Sequence, residues 1–250
     1  MRILLLLLAA CGPKAVPPPA EPPTPAAVPP AVQDVAEASA DPVNAAPTTR
    51  NDRFLAEDLN VDEWMERFER AEREVYAYHQ PIVDTLGIAT GMTVADIGAG
   101  TGAYIEPLAT AVGTEGTVYA VELSPVFVAH LTERASDAGL TQVQVVQSTA
   151  AASHLPEDAV DLAILVDVYH HLDDDEAFLA DVARALKPGG RLALVEFHRI
   201  PGVSSEWILG HVELSREEVV ERLIGMGWTE PTDIPIDGLV DNYVLTLTVP

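Results

Sequence analysis

Val94-Ala95-Asp96-Ile97-Gly98-Ala99-Gly100-Thr101-Gly102 joins an apolar run to an acid and then to glycines alternating with small residues. Val94 to Ile97 read as a buried strand, and beyond Gly102 the residues Tyr104, Ile105, Leu108, Ala109 and Val112 recur at helical spacing. The unit is strand, turn, helix. Glycine at 98, 100 and 102 lets the turn be tight and lets a ligand lie directly on backbone atoms, where a Cβ would collide. A turn of this kind at the carboxyl end of a parallel strand is where open α/β sheets hold nucleoside cofactors.

Charge selects among such cofactors. Gly98, Gly100 and Ala103 satisfy the G-x-G-x-x-G/A dinucleotide pattern, which is weak on its own. A pyrophosphate on the helix N-terminus needs a neutral or positive surround, and Asp96 would add a negative charge beside it. A phosphate-free, cationic ligand is attracted instead. Asp96 to Gly102 resembles the first motif of the class I S-adenosylmethionine-dependent methyltransferases, whose cofactor carries an ammonium and a sulfonium. The resemblance covers about residues 60 to 250. It implies a doubly wound, mostly parallel seven-stranded sheet with an antiparallel last strand, and a cofactor site made by Asp96, Gly98, Ala99, Gly100, Thr101, Gly102, Glu122, Leu123, Thr149 and Asp167.

The pattern downstream agrees with that fold. Gly116 to Glu122 reads as a second strand ending in an acid about 20 residues past the glycine turn, where a carboxylate accepts ribose hydroxyls. Ser124-Pro125 opens a helix that Gly139 closes, and Val143 to Val146 form a third strand. Its exit, Ser148 to Ser153, lacks the acid that many members of the family place there for the adenine amino group, which leaves Thr149 and backbone atoms. Val160 to Asp167 is a fourth strand, nearly continuous in apolar residues as a strand covered on both faces should be. Val168-Tyr169-His170-His171-Leu172 follows it and resembles the family's fourth-strand motif. A group there faces the transferring methyl, and imidazole titrates in the useful range, so His170 is the candidate base. Asp173 to Glu176 cap the next helix. Leu186 to Arg191 form a turn into strand Leu192 to Phe197, with no catalytic part for Lys187. Glu196, His198 and His211 could converge with Asp167 and His170 on a metal, but no tight ligand spacing such as H-x-x-x-H is present and no metal is expected. Ser215 and Glu218 make a capping box for a helix to about Met226, and Asn242 to Val249 is the final strand.

The amino-terminal fifth of the chain has another character. Arg2, the apolar run Ile3 to Leu8 and Ala9-Ala10-Cys11 have the layout of an export signal, and Leu8 to Cys11 resembles the lipobox of bacterial lipoproteins. Cys11 is the single cysteine, so no internal disulfide forms. The leader is shorter than usual: either the true start lies upstream or the resemblance is accidental, in which case a cytoplasmic protein with an apolar start is the alternative. The expected organisation is a signal at 1–10, a lipidated Cys11 with a Pro/Ala-rich spacer to 50, and a methyltransferase-like domain over 51–250 with a helical cap at 51–90. Polyproline-like chain advances about 3.1 Å per residue, so the spacer reaches on the order of 100 Å. In the cap, Trp64, Phe68, Ala71, Val75 and Tyr78 share a helical face that Pro81 interrupts. Glu63 with Arg67, Glu66 with Arg70 and Glu69 with Arg73 are spaced for i,i+4 pairs on another face. A leading helix over the cofactor cleft puts Tyr76, Tyr78 and His79 in reach of ligand, although core packing is the simpler expectation for aromatics.

With 14 basic and 39 acidic residues the net charge is −25, which argues against a nucleic-acid backbone or an anionic membrane surface as partner and favours a cationic or neutral small molecule, although acidity also serves solubility alone. A membrane is reached only through lipid on Cys11, and oligomeric state is not legible. The leading expectation is methyl transfer to a small molecule at the cell envelope. It carries a conflict, because S-adenosylmethionine is made in the cytoplasm. A nicotinamide oxidoreductase and a non-enzymatic exported lipoprotein that binds or docks through the fold are the alternatives.

Overall fold

The computed structural model describes residues 50–249. The expected leader, Cys11 and the Pro/Ala-rich spacer lie outside the described residues. The strands are β1 (Thr93–Ile97), β2 (Thr117–Glu122), β3 (Val143–Gln147), β4 (Val160–Val166), β5 (Leu186–Phe197), β6 (Thr232–Asp233) and β7 (Asn242–Thr248). The helices are α1 (Val61–Phe68), α2 (Glu74–Ala77), α3 (His79–Thr85), α4 (Ile105–Val112), α5 (Pro125–Asp137), α6 (Asp175–Ala185), α7 (Glu206–His211) and α8 (Arg216–Gly225). They build one seven-stranded sheet in the order β3-β2-β1-β4-β5-β7-β6. Pairing is parallel from β3 to β5 and antiparallel for β5 with β7 and β7 with β6. The order turns back beside β1, between β2 and β4, and ligands bind at such a switch point, outside the carboxyl ends of the strands.

Side-chain alternation explains why the central strands are apolar throughout. On β4, Ala163 and Leu165 enter the layer that holds Phe178, Leu179 and Val182 of α6 and Leu223 of α8. Leu162 and Ile164 enter the opposite layer with Ile82 and Val83 of α3 and Leu108 and Val112 of α4. Both faces are dry, so no polar position recurs along the strand. Helix starts follow local chemistry: Ser124, Asp174 and Ser215 each accept a backbone N–H as N-cap, and Ser215 with Glu218 completes the capping box.

Three expectations about local structure are corrected. The leading helix does not run to Pro81. It breaks after Phe68, and Pro81 sits in the first turn of α3, where a missing N–H costs nothing. The break occurs because long-range partners outbid the i,i+4 pair of Glu69 and Arg73: Glu69 binds Arg134 at 2.5 Å and Arg73 binds Asp167 at 2.9 Å. β5 already begins at Leu186, which pairs with Val160 before a register shift brings Arg191 opposite Leu162. β4 ends at Val166, because Asp167 takes a left-handed conformation at φ 52° and turns the chain out of the sheet.

Candidate active site

The glycine turn hangs on the end of β2. The Gly98 and Ala99 N–H groups both donate to the Val121 carbonyl, at 2.8 and 3.0 Å. Gly98 has φ 72°, and a Cβ there would stand 2.6 Å from Val168 Cγ2, so the turn and the start of the Val168–Leu172 segment close on each other. Glu122 then locks the turn: its carboxylate accepts the Gly100 N–H and the Ser124 N–H, each at 2.8 Å. One side chain thus ties the glycine turn to the N-terminus of α5. Burial pushes the Glu122 carboxyl up, opposed by the amides of Ser124, Gly100 and Leu123.

Asp96 is 3% exposed, and its Oδ2 has no hydrogen-bond partner. Burial, with the Glu122 charge adding to it, pushes its carboxyl up to about 7. A buried carboxylate oxygen without a donor is costly, and a cationic ligand on the turn would meet that demand. This is the respect in which the residues present fit S-adenosylmethionine and disfavour a pyrophosphate. Thr101 is buried, and its carbonyl is bound by Arg134 at 2.9 Å. Leu123 is half-buried, beside Glu122. Thr149 is exposed, and its hydroxyl accepts the Ala152 N–H at 3.1 Å, so it is spent on closing its own turn.

The cap covers this region with an aromatic cluster. Phe54, Trp64 and Phe68 pack at centroid distances of 5.0 to 6.4 Å, and Phe68 lies against Gly100. Tyr76 stacks on His79 and Tyr78 packs under Gly238, so the residue lying over the glycine turn is Phe68. Arg73 continues the cover: its guanidinium sits 4.8 Å from the Phe68 ring centre and donates to Asp167 Oδ2. Asp167 Oδ1 accepts from Asn242 at 2.6 Å. Burial raises the Asp167 carboxyl to about 6, against the pull of Arg73. Glu74 pins the cap from the other side by accepting the backbone N–H groups of Val240, Asp241 and Asn242.

Past Asp167 a short 3-10 turn, Tyr169–His171, presents two imidazoles. His170 is buried, with Nδ1 2.9 and 2.8 Å from the two Glu196 oxygens and Nε2 3.1 Å from His211 Nε2. Glu196 also accepts the Phe197 N–H at 2.7 Å. Burial and the neighbouring His170 hold His171 down at about 2 and His211 at about 4, so both are neutral at neutral pH. Of the residues read as a possible convergence, Glu196 and His211 reach His170. Asp167 turns to Arg73 and Asn242, and His198 packs on Tyr243 beside a separate cavity of about 250 Å³. Sequence reasoning missed His171 as a member of this cluster and Arg73 as a partner of the site. Only the adjacency of two histidines at a strand end pointed to the first. Lys187 pairs with Asp161 at 2.7 Å, in keeping with a purely structural part.

The strand order and the mixed pairing are those of the Rossmann-like fold of solved methyltransferases. Residues 95–194 match the methyltransferase domain family. Among curated proteins the chain is similar to the ubiquinone/menaquinone biosynthesis C-methyltransferase UbiE of Shewanella piezotolerans, 29% identical over 118 residues, 47% of each chain. The UbiE of a Marinomonas species is 31% identical over 114 residues, 45% of each. The chain thus spans a little under half the length of these curated relatives. Among solved structures, an S-adenosylmethionine-dependent methyltransferase from Aquifex aeolicus superposes with a TM-score of 0.64 at 23% identity, over 76% of this chain and 97% of that one.

Proposed function

We propose that the domain transfers the methyl group of S-adenosylmethionine to a small-molecule acceptor lying beside His170. The observation that carries this reading is the buried, unpartnered Asp96 oxygen beneath a glycine turn locked by Glu122. When bound, the cofactor supplies an electrophilic methyl on a sulfonium. Gly98 to Gly102 form its bed, Asp96 attracts its positive charge, and Glu122 offers remaining lone pairs to ribose. Leu123 flanks the nucleoside, and Phe68 with the cap excludes water. Asp167 stands between this bed and the histidines. An ionised Glu196 only accepts, so it keeps the proton of His170 on Nδ1 and leaves a lone pair on Nε2. That lone pair accepts from His211 Nε2 at 3.1 Å, so it takes the proton of a hydroxyl or carbon acceptor when the acceptor displaces His211.

The test is calorimetric titration of the protein with S-adenosylmethionine between pH 5 and pH 7. With a carboxyl at about 7, Asp96 is about 1% ionised at pH 5 and about half ionised at pH 7. Affinity that needs the anion should rise roughly 50-fold over this span. Asp96→Asn should bind weakly and show no such slope. A slope of the same size in the variant, beyond what Asp167 ionising at about 6 supplies, or tight binding of NAD, would overturn the reading.

For the amino-terminal segment we propose a lipid anchor on Cys11 and placement at the cell envelope, supported by the sequence Leu8-Ala9-Ala10-Cys11. Cys11→Ser should move the protein from the membrane fraction to the soluble fraction of the producing bacterium. Equal distribution of the two forms would count against the anchor.

A further inference from the structure

The three imidazoles beside Glu196 form a cluster that a hydrogen-bonded network alone does not explain. With its proton on Nδ1, His170 points the Nε2 lone pair at His211 Nε2, 3.1 Å away. His171 Nδ1 is buried with no partner at all. An orphaned ring nitrogen loses its hydration with nothing in return. One ring nitrogen of each of the three residues lies within 4.8 Å of the other two.

Those distances suit one ion. Tetrahedral zinc with Zn–N bonds of about 2.0–2.1 Å sets its ligand nitrogens about 3.3–3.4 Å apart. The His170–His211 pair is already near that spacing, and the third nitrogen needs to close by at most about 1.4 Å, a side-chain rotation. The outer contacts are those of a metal centre as well: Glu196 grips the far nitrogen of His170, which fixes tautomer and ring orientation. Arg50 and Asn51 hold the carbonyls of His170 and His171, fixing the turn that carries them. Trp207 stacks on His211 at 4.5 Å, which restrains the third ring. Neutral imidazoles select zinc, nickel or copper over magnesium and calcium. The positive charge of Arg50 and Arg53 near His171 and His211 opposes any cation, and the charge of Glu196 offsets it.

We propose that His170, His171 and His211 bind a divalent transition-metal ion, zinc by ligand type, through one ring nitrogen each, with Glu196 as the outer partner of His170. Three protein ligands leave a position open to water or to an acceptor heteroatom. The use of the ion, though not its binding, rests on the acceptor lying beside His170. There the ion replaces the imidazole lone pair as the means of stripping a proton, since a coordinated hydroxyl or thiol ionises at lower pH.

The test uses the tag-free full chain, stripped of metal, titrated with Zn²⁺ alone by calorimetry and with Co²⁺ alone by visible absorption. One ion per chain and the ligand-field spectrum of four-coordinate cobalt are expected. His211→Ala and His171→Ala should each abolish binding, Glu196→Gln should weaken it about 10- to 100-fold, and His198→Ala should leave it unchanged. His211→Gln, with thermal unfolding as control, separates loss of a ligand from loss of fold. Failure to bind one ion, or equal binding by the folded His211 variants, would overturn the site. S-adenosylmethionine titration of the same proteins reads the proposed function separately, so either conclusion can fail while the other stands.

Discussion

Replacing His170 by asparagine is expected to lower turnover of a hydroxyl or carbon acceptor by roughly 10²- to 10⁴-fold, the usual contribution of a positioned base. Affinity for S-adenosylmethionine should be unchanged. The asparagine amide stands close to the place of imidazole Nδ1, so Glu196 keeps a donor, while the Nε2 lone pair is gone. Loss of turnover with intact cofactor binding therefore isolates the proton-accepting step, or the metal ligand, from the fold. Glu196→Gln should give a partial loss, because an amide no longer dictates which ring nitrogen carries the proton. An acceptor that is already a thiolate or a free amine needs alignment more than a base, and its turnover should fall far less. The ratio of the two losses thus assigns the acceptor class. Undiminished turnover of every acceptor in His170→Asn would remove this residue from the chemistry.

The parts of the fold that were legible in the sequence are those whose cause is local. Glycine turn geometry, the caps at Ser124, Asp174 and Ser215, and the unbroken apolar run of β4 each follow from residues within a few positions of one another. Glu122 was legible as well, because its distance from the glycine turn is set by one strand-helix-strand step. Pro81 misled for a physical reason: proline breaks a helix interior but suits a first turn, and only tertiary structure decides where the turn begins. Arg73 and Phe68 were illegible because Asp167 lies 94 positions from Arg73 and no periodicity encodes that meeting. The two histidines after Glu196 show how a strand end limits such reasoning. Alternation would set Glu196 and His198 on one face, yet β5 stops at Phe197 and His198 follows the loop to Tyr243. His211 arrives instead from the end of α7.

Arg73→Ala is expected to be the most damaging substitution in the cap. Asp167 is 7% exposed, and the cation hydrogen-bonded to it is a guanidinium donated across 94 positions. Removing one partner of a buried pair costs about 3–5 kcal/mol while the remaining charge persists, but a carboxyl already at about 6 escapes by taking up a proton, which limits the cost at pH 8 to about 2.7 kcal/mol; in a domain of this size each 1 kcal/mol lowers Tm by about 2–4 °C. Thermal unfolding should therefore begin roughly 5–11 °C lower at pH 8. Arg222, half exposed and paired with Asp175, is the control, and its loss should cost no more than about 1 kcal/mol. The sign of the pH dependence separates lost charge from lost packing. The folded-state carboxyl of Asp167 lies above its unfolded value, so it contributes stability at low pH that is lost as pH rises from about 4 through about 6. Without Arg73 the carboxyl rises further, and the loss extends to higher pH. The gap between the two proteins should be small at pH 5, where the variant holds Asp167 protonated, and full at pH 8. Arg73→Ala combined with Asp167→Asn should recover most of the difference, since the amide still accepts from Asn242 and leaves no buried charge. A gap that is the same at both pH values, or a double variant no better than the single one, would mean that Arg73 acts through its packing on Phe68 and not through Asp167.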